Sequence, residues 1–394
     1  MISETRQIET DALYHAADAP MLDQVQAWAN IGSGSQNADG LAAMASVLAD
    51  AFAALPGDIL LREPEQDKAQ GRNLHLVVRP QAPVQVLLTG HMDTVYGPES
   101  PFRQVGMMTA ERTLNGPGVA DMKGGLALML AALRAVETSP AAARIGYEVV
   151  INSDEEIGSP GSAALIARAA CGKRAALTYE PAILPDGTLA GARPGSGNFA
   201  IIVSGRSAHA GRNPQEGRNA VVAAADLAVL LARAMREGLA INPARIEGGG
   251  PNNVVPDRAV LHVNLRPATA LDETEARQLI DETVARIAAL HDVSITVNGG
   301  FGRPPKALDA GAVRLFELVR SCGADLGQAI TWRPTGGVCD GNNIAACGVP
   351  VVDTMGARGG AIHSPDEYLI VDSLVERAQL STLVLLRLAQ GGLS

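Results

Sequence analysis

Three times between residues 84 and 180, a short, mostly apolar run stops on residues with charged or imidazole side chains. Residues 84–89 lead into Gly90-His91, residues 147–152 into Ser153-Asp154-Glu155-Glu156, and residues 177–179 into Glu180. Runs of this length and composition predict buried strands. Stretches with helical periodicity lie between them, at residues 125–136 and 162–170, and the alternation predicts an α/β domain with a largely parallel sheet. Ligands of such sheets sit beyond the carboxyl ends of the strands, where these polar residues would gather.

From about Gly197 the pattern changes. Residues 199–203 read as a strand and 219–236 as an amphipathic helix, while 258–266 alternates with period two, placing Ala259, Leu261, Val263 and Leu265 on one side. Asp272-Glu273-Thr274-Glu275 has the form of a capping box that opens a helix to Leu290, and residues 293–297 follow as a strand. Strand, helix, strands, helix, strand predicts a small α+β sandwich of ferredoxin-like type, with the Gly- and Pro-rich stretches 193–197 and 299–305 as its hinges. The α/β pattern then resumes, with 349–353 as a strand and 371–388 as a helix, so the second domain reads as inserted into the first.

Composition narrows the function classes. A chain of 394 residues exceeds what one hydrophobic core usually serves, and 47% hydrophobic with 19% charged residues is far from the signature of disorder. A net charge of -10 repels phosphate backbones and anionic lipid, and 3% aromatic content offers few stacking surfaces, so neither nucleic acid nor a membrane is an expected partner. Glu4, Arg6, Glu9 and Asp11 interrupt the first thirty residues, which lack the pattern of an export signal, and the apolar stretch 126–136 is too short to span a bilayer. Cys171, Cys322, Cys339 and Cys347 form no C-x-x-C pair, in keeping with a reducing compartment, and the expectation is a soluble cytoplasmic protein. No G-x-S-x-G or Walker A loop occurs, and Gly195-Ser196-Gly197 lacks the third glycine of a dinucleotide fingerprint.

His91, Asp121, Glu156, Glu180 and His363 fall at expected strand ends or adjacent loops and offer only imidazole nitrogen and carboxylate oxygen. That donor set suits zinc, or cobalt or manganese. At residues 116–125, GPGVADMKGG, the resemblance becomes specific. With His91-Met92-Asp93-Thr94, residues 154–159 (DEEIGS), Tyr179-Glu180-Pro181, residues 205–211 (GRSAHAG) and His363-Ser364-Pro365, the chain resembles the M20 family of co-catalytic zinc metallopeptidases, in that family's motif order and over nearly its whole length. Within the family it is most similar to the glutamate carboxypeptidase branch, then to the acetylornithine deacetylase and succinyl-diaminopimelate desuccinylase branch.

The resemblance implies a catalytic domain from residues 1–195 and 305–394, of zinc-peptidase-like α/β fold with a mixed, largely parallel sheet, interrupted by a dimerisation or lid domain at 196–304. It implies two Zn2+ ions per chain, with Co2+ or Mn2+ as substitutes. Asp121 would bridge them, with His91 and Glu180 completing one site and Glu156 and His363 the other. Metal binding lowers the pKa of water from about 15.7 to about 7. Glu155 would be the general base and Asp93 would accept the second N–H of His91, fixing its tautomer. His209 would reach the partner subunit's active site in a homodimer and polarise the scissile carbonyl. Arg266 and Asn253 match positions that hold the carboxylate of a peptide or small-molecule substrate, a task that suits the planar guanidinium fork. Residues 336–342 (GGVCDGN) resemble the family's Gly-rich active-site loop, with Cys339 where Ser or Thr is commoner. The expected activity is release of a C-terminal amino acid from a peptide or N-acyl conjugate; the alternatives are an N-acyl-amino-acid deacylase and a non-catalytic metal-dependent binding protein.

Overall fold

The computed structural model describes residues 4–65, 69–108 and 110–393. In chain order its first part contains α1 (Glu4–Ala17), α2 (Met21–Ala29), α3 (Ala38–Phe52), β1 (Asp58–Arg62), β2 (Asn73–Val78), β3 (Val84–His91), β4 (Gly106–Met108), β5 (Thr113–Asn115), α4 (Gly124–Glu137), β6 (Ile145–Asn152), α5 (Ala163–Ala170), β7 (Ala175–Thr178) and β8 (Leu189–Ala190). Then come β9 (Ser196–Ser204), α6 (Ala220–Arg233), β10 (Leu239–Gly248), β11 (Arg258–Pro267), α7 (Ala270–His291) and β12 (Ser294–Arg303). The chain closes with α8 (Ala310–Asp325), β13 (Trp332–Arg333), α9 (Asp340–Ala346), β14 (Val351–Val352), β15 (Gly359–Gly360), β16 (Tyr368–Ile370) and α10 (Asp372–Ala389). It divides into two compact units, one of residues 1–192, 308–335 and 339–394, the other of 193–307 with 336–338.

The larger unit is built on a six-stranded mixed sheet in the order β1-β2-β6-β3-β7-β14. β6, β3, β7 and β14 run parallel to one another, while β1 and β2 pair antiparallel at one edge. Successive residues of the central strands face opposite sides. Val86, Leu88, Val149, Ile151 and Leu177 belong to the main core, while Leu87, Val150 and Ala176 pack with Ile166 of α5 and Ile344 of α9. A sheet covered on both faces needs strands that are apolar throughout, which is why their sequences do not alternate. α4 is buried on nearly every side because it packs against α1, α2 and α10. Among the described residues no helix is long and apolar enough to cross a membrane.

The smaller unit is a four-stranded antiparallel sheet, β10-β11-β9-β12, with α6 and α7 packed on it. Ala259, Leu261, Val263 and Leu265 of β11 are buried under the helices, while His262, Asn264 and Arg266 occupy the other face and stay part-exposed. The helix expected from a cap at Asp272 begins three residues earlier. Thr269 is the N-cap, its hydroxyl accepting from Asp272 N–H while the Asp272 carboxylate accepts from the Thr269 N–H. Both registers carry a cap-type residue with an acid three positions on, so local sequence does not decide between them. The stretches expected as hinges lie beside the boundaries between the two units and are hydrogen-bonded. β12 runs through Gly299 to Arg303, Gly195 N–H donates to Pro267 O, and Arg193 and Lys306 exchange two main-chain hydrogen bonds of 2.9 Å.

Candidate active site

Strand register brings the polar residues together. In the parallel pairs His91 lies opposite Asn152 and Thr89 opposite Thr178, so the segments leaving β3, β6 and β7 emerge side by side at the carboxyl ends of these strands. Those segments carry Asp93, the Glu155-Glu156 turn and Glu180. Asp121 sits on the tight turn of Val119–Lys123 that leads into α4, and His363 on the loop between β15 and β16. Two glycines make this possible. Gly118 opens the turn with φ of 71°, and a Cβ on Gly125 would stand 2.1 Å from Tyr179 O, so α4 approaches the end of β7 only without a side chain there.

Asp121 is the centre of the cluster. Its Oδ1 is 3.0 Å from His91 Nε2 and its Oδ2 is 3.4 Å from His363 Nε2, which in turn lies 3.3 Å from Glu156 Oε2. Glu180 Oε2 is 3.8 Å from His91 Nε2. Ligand atoms of His91, Asp121 and Glu156 lie within 4.8 Å of one another, as do those of His91, Glu155 and Glu180. All five residues expected as ligands therefore converge, with Glu155 beside them. His363 is held in the left-handed region with φ of 63°, a sparsely populated conformation that clusters at functional sites.

The surroundings fix this geometry. His91 Nδ1 donates to the main-chain carbonyl of Asp93 at 3.0 Å, closer than the Asp93 carboxylate at 3.4 Å. The tautomer is thus set chiefly by a carbonyl, which leaves Nε2 as the ligating nitrogen. The Asp93 carboxylate instead accepts from the N–H groups of Glu155 (3.1 Å) and Glu156 (3.2 Å), and from Ser35 Oγ (2.7 Å). The same turn is held from behind by Asp340, which accepts from Asn152 and Ser159. Lys123 is buried with its ammonium donating to Ile31 O at 3.3 Å; burial lowers its pKa to about 8 against the opposing pull of Glu367 and Asp93.

Electrostatically the cluster is an excess of carboxylates removed from water. Burial, then the charge of Asp121, pushes Glu156 up to about 7 and Glu180 up to about 8. Burial opposes charge on Asp121 as well, but hydrogen bonds from His363 and His91 outweigh it and hold the carboxyl well below its usual range. Burial also disfavours a charged His91, and bonds to Asp121 and Asp93 reverse that effect and raise its pKa. His363 is raised to about 10 by its bonds to Asp121 and Glu156. Glu180 Oε1 is buried without a hydrogen-bond partner among the described residues, an expensive position for a lone acceptor. Convergent N and O donors, a carboxylate between two imidazoles and an orphaned buried oxygen fit divalent cations of the zinc, cobalt or manganese type.

The remaining candidates lie in the smaller unit. His209 is exposed, and its segment pairs with the one carrying Asn253: Ala210 N–H donates to Asn253 O and Val255 N–H to Ala208 O, both at 2.9 Å. Gly211 N–H donates to His209 Nδ1 at 3.1 Å, which leaves the proton of the neutral ring on Nε2. Arg266 Nε donates to Asn264 Oδ1 at 2.9 Å and Nη1 to Gly336 O at 3.3 Å, and no carboxylate among the described residues pairs with it. Partial burial lowers its pKa. Asn264 is locked by donating to Ser196 Oγ, Gly197 O and Asn198 Oδ1. Cys339, in the larger unit, caps α9: its Sγ accepts from Gly341 N–H, and Asn342 Oδ1 accepts from Cys339 N–H.

Sequence patterns carry little signal for Glu367, Lys123 and Asn264. Lys123 stands inside the motif of residues 116–125 and Glu367 two positions after His363-Ser364-Pro365, but neither spacing assigns a task.

Comparison with known proteins agrees with this architecture. Carboxypeptidase G2 from Pseudomonas sp. (strain RS-16) is 29% identical over 376 residues, covering 92% of this chain and 88% of the relative. Succinyl-diaminopimelate desuccinylase from Halorhodospira halophila is 30% identical over 307 residues, 72% of this chain and 78% of the relative. The fold is shared with the Bacillus subtilis YXEP protein, a dinuclear metal binding peptidase from the M20 family, at a TM-score of 0.69 and 14% identity, covering 94% of this chain and 98% of the other. With residues 87–387 matching the sequence model of Peptidase family M20/M25/M40, the chain belongs to that family and is an enzyme of its metallopeptidase and amidohydrolase class.

Proposed function

We propose that the cluster at the carboxyl ends of the central strands holds two divalent cations, in the first place zinc, and that the enzyme cleaves an amide bond to release a C-terminal amino acid of glutamate type from a peptide or N-acyl conjugate. The observation that carries this reading is Asp121, whose two carboxylate oxygens face His91 at 3.0 Å and His363 at 3.4 Å while Glu180 Oε1 stands buried and unpaired beside them. Asp121 would serve both ions, His91 and Glu180 one of them, and Glu156 and His363 the other. Bound there, the ions supply Lewis acidity and lower the pKa of water toward about 7.

The chain's own groups do the rest. Glu155 takes a proton from the attacking water and delivers it to the leaving nitrogen, a division of labour that requires its carboxylate to stay distinct from that of Glu156. Asp93 enforces this by clamping both main-chain N–H groups of the turn. His209, with its proton on Nε2, donates to the scissile carbonyl, from the partner subunit of a homodimer. Arg266 binds the substrate's free carboxylate: Asn264 fixes its Nε, and no carboxylate of this chain among the described residues competes for it. Asn253 adds an amide donor.

The alternative is an N-acyl-amino-acid deacylase, which the desuccinylase among the relatives favours. A panel of N-acyl-glutamate, N-acyl-aspartate, N-acetylornithine, N-succinyl-diaminopimelate and simple dipeptides, assayed with added zinc, separates them. The expected result is the highest kcat/KM on the glutamate conjugate. Preference for N-acetylornithine or the succinyl compound would move the assignment to the deacylase, and tight binding without turnover of any would indicate a binding protein.

A further inference from the structure

Glu367 is buried yet makes four hydrogen bonds, none of them to another charged side chain. Its Oε1 accepts from the main-chain N–H groups of Ala120 (3.0 Å) and Asp121 (3.1 Å). Its Oε2 accepts from Gly118 N–H (3.2 Å) and the Tyr96 hydroxyl (2.8 Å). The same Tyr96 hydroxyl stands 2.8 Å from Ser364 O, so its single proton is shared between that carbonyl and Glu367 Oε2, and Asn115 Nδ2 holds Glu367 O at 2.7 Å. One carboxylate thus joins three segments that lie far apart in sequence: the one that follows His91, the turn that carries Asp121, and the loop that carries His363.

We infer that Glu367 is a positioning residue for the metal site, holding the Asp121 turn and the His363 loop in register so that two cations bind together. The inference rests on the two-metal reading above. A carboxylate suits the task because it only accepts, and four donors converge on it. Glutamine in its place offers one oxygen, and its amide N–H groups would meet donors instead of acceptors. Groups that orient metal ligands typically contribute about 10- to 100-fold in affinity or activity. Asp121 serves both sites while His363 serves one, so loosening their register weakens the site completed by His363 and Glu156 more than the other.

The test is zinc titration of apo-protein against a chromophoric chelator, with folding verified by far-UV circular dichroism. Glu367→Gln is expected to bind at least one of two zinc equivalents about 10- to 100-fold more weakly. Saturating zinc is expected to restore most of kcat, because the carboxylate touches neither substrate nor reacting atoms. Glu137→Gln is the control for a merely structural role: Glu137 lies at the far end of α4, tied to Arg79 and Tyr147, and its removal should leave both zinc affinities unchanged. Two equivalents bound by folded Glu367→Gln with wild-type affinity overturn the inference. If that variant does not fold, Tyr96→Phe, which removes one of the four donors, is read in the same way and should weaken zinc several-fold. Wild-type protein that binds fewer than two equivalents would instead defeat the two-metal reading itself.

Discussion

The candidate residues of the two units are held differently, although His363 of the larger unit is itself half exposed on a loop. In the larger unit His91, Asp121 and Glu180 are buried, and the turns that bear Asp121 and the Glu155-Glu156 pair are tied by carboxylates from other segments, Glu367 and Asp93. In the smaller unit His209 and Asn253 are exposed on paired loops, and only Arg266 is fixed by a side chain, Asn264. Burial of charge is tolerated where the groups are paired, and it makes each interaction strong; Glu180 Oε1 is the exception, and in the proposed site a cation would satisfy it. Exposed groups on loops adapt to what they meet. Under the proposed function, bond cleavage belongs to the larger unit and recognition to the smaller.

Substitutions can break that division. Glu155→Gln keeps the size of the side chain and removes only the proton acceptor, and it is expected to lower kcat by about 10²- to 10⁴-fold while both metals stay bound. Turnover near the wild-type rate would show that the base is elsewhere. In the smaller unit, Arg266→Ala leaves a substrate carboxylate without its partner, at a cost of about 2 to 5 kcal/mol. At about 1.36 kcal/mol per decade, kcat/KM should fall about 30- to several-thousand-fold with metal content unchanged. Arg266→Lys should recover only part, because an ammonium makes no bidentate contact. A substrate with an amidated α-carboxylate sharpens the comparison: wild type should discriminate strongly against it and Arg266→Ala much less. A mutant that keeps the wild-type preference for the free acid would remove Arg266 from recognition.

The sequence made the centre of the site legible because its signals are local. β3, β6 and β7 are short apolar runs, and the residues that end them are the ones their parallel register places side by side. Helix α4 lies within one residue of the expected stretch because its periodicity and the preceding glycines bound it on both sides. What was not legible is what depends on distant segments. Glu367 meets the N–H of Asp121 across 246 positions, and main-chain donors leave no trace in residue identity. The same holds for Asp93, whose carboxylate grips the Glu155-Glu156 turn while its carbonyl serves His91. At 193–197 and 299–305, where glycine and proline suggested hinges, the chain passes between the two units as main-chain-paired strand ends. At Thr269 two overlapping cap signals left the register to packing.

Everything above depends on how many cations the Asp121 cluster binds, and that number can be measured directly. Elemental analysis of protein dialysed against zinc and then freed of excess metal should give two equivalents per chain, falling when Asp121 is replaced by Asn, since that carboxylate stands between both imidazoles. A ratio that saturates at one equivalent with full amide-hydrolysing activity would contradict the two-metal account.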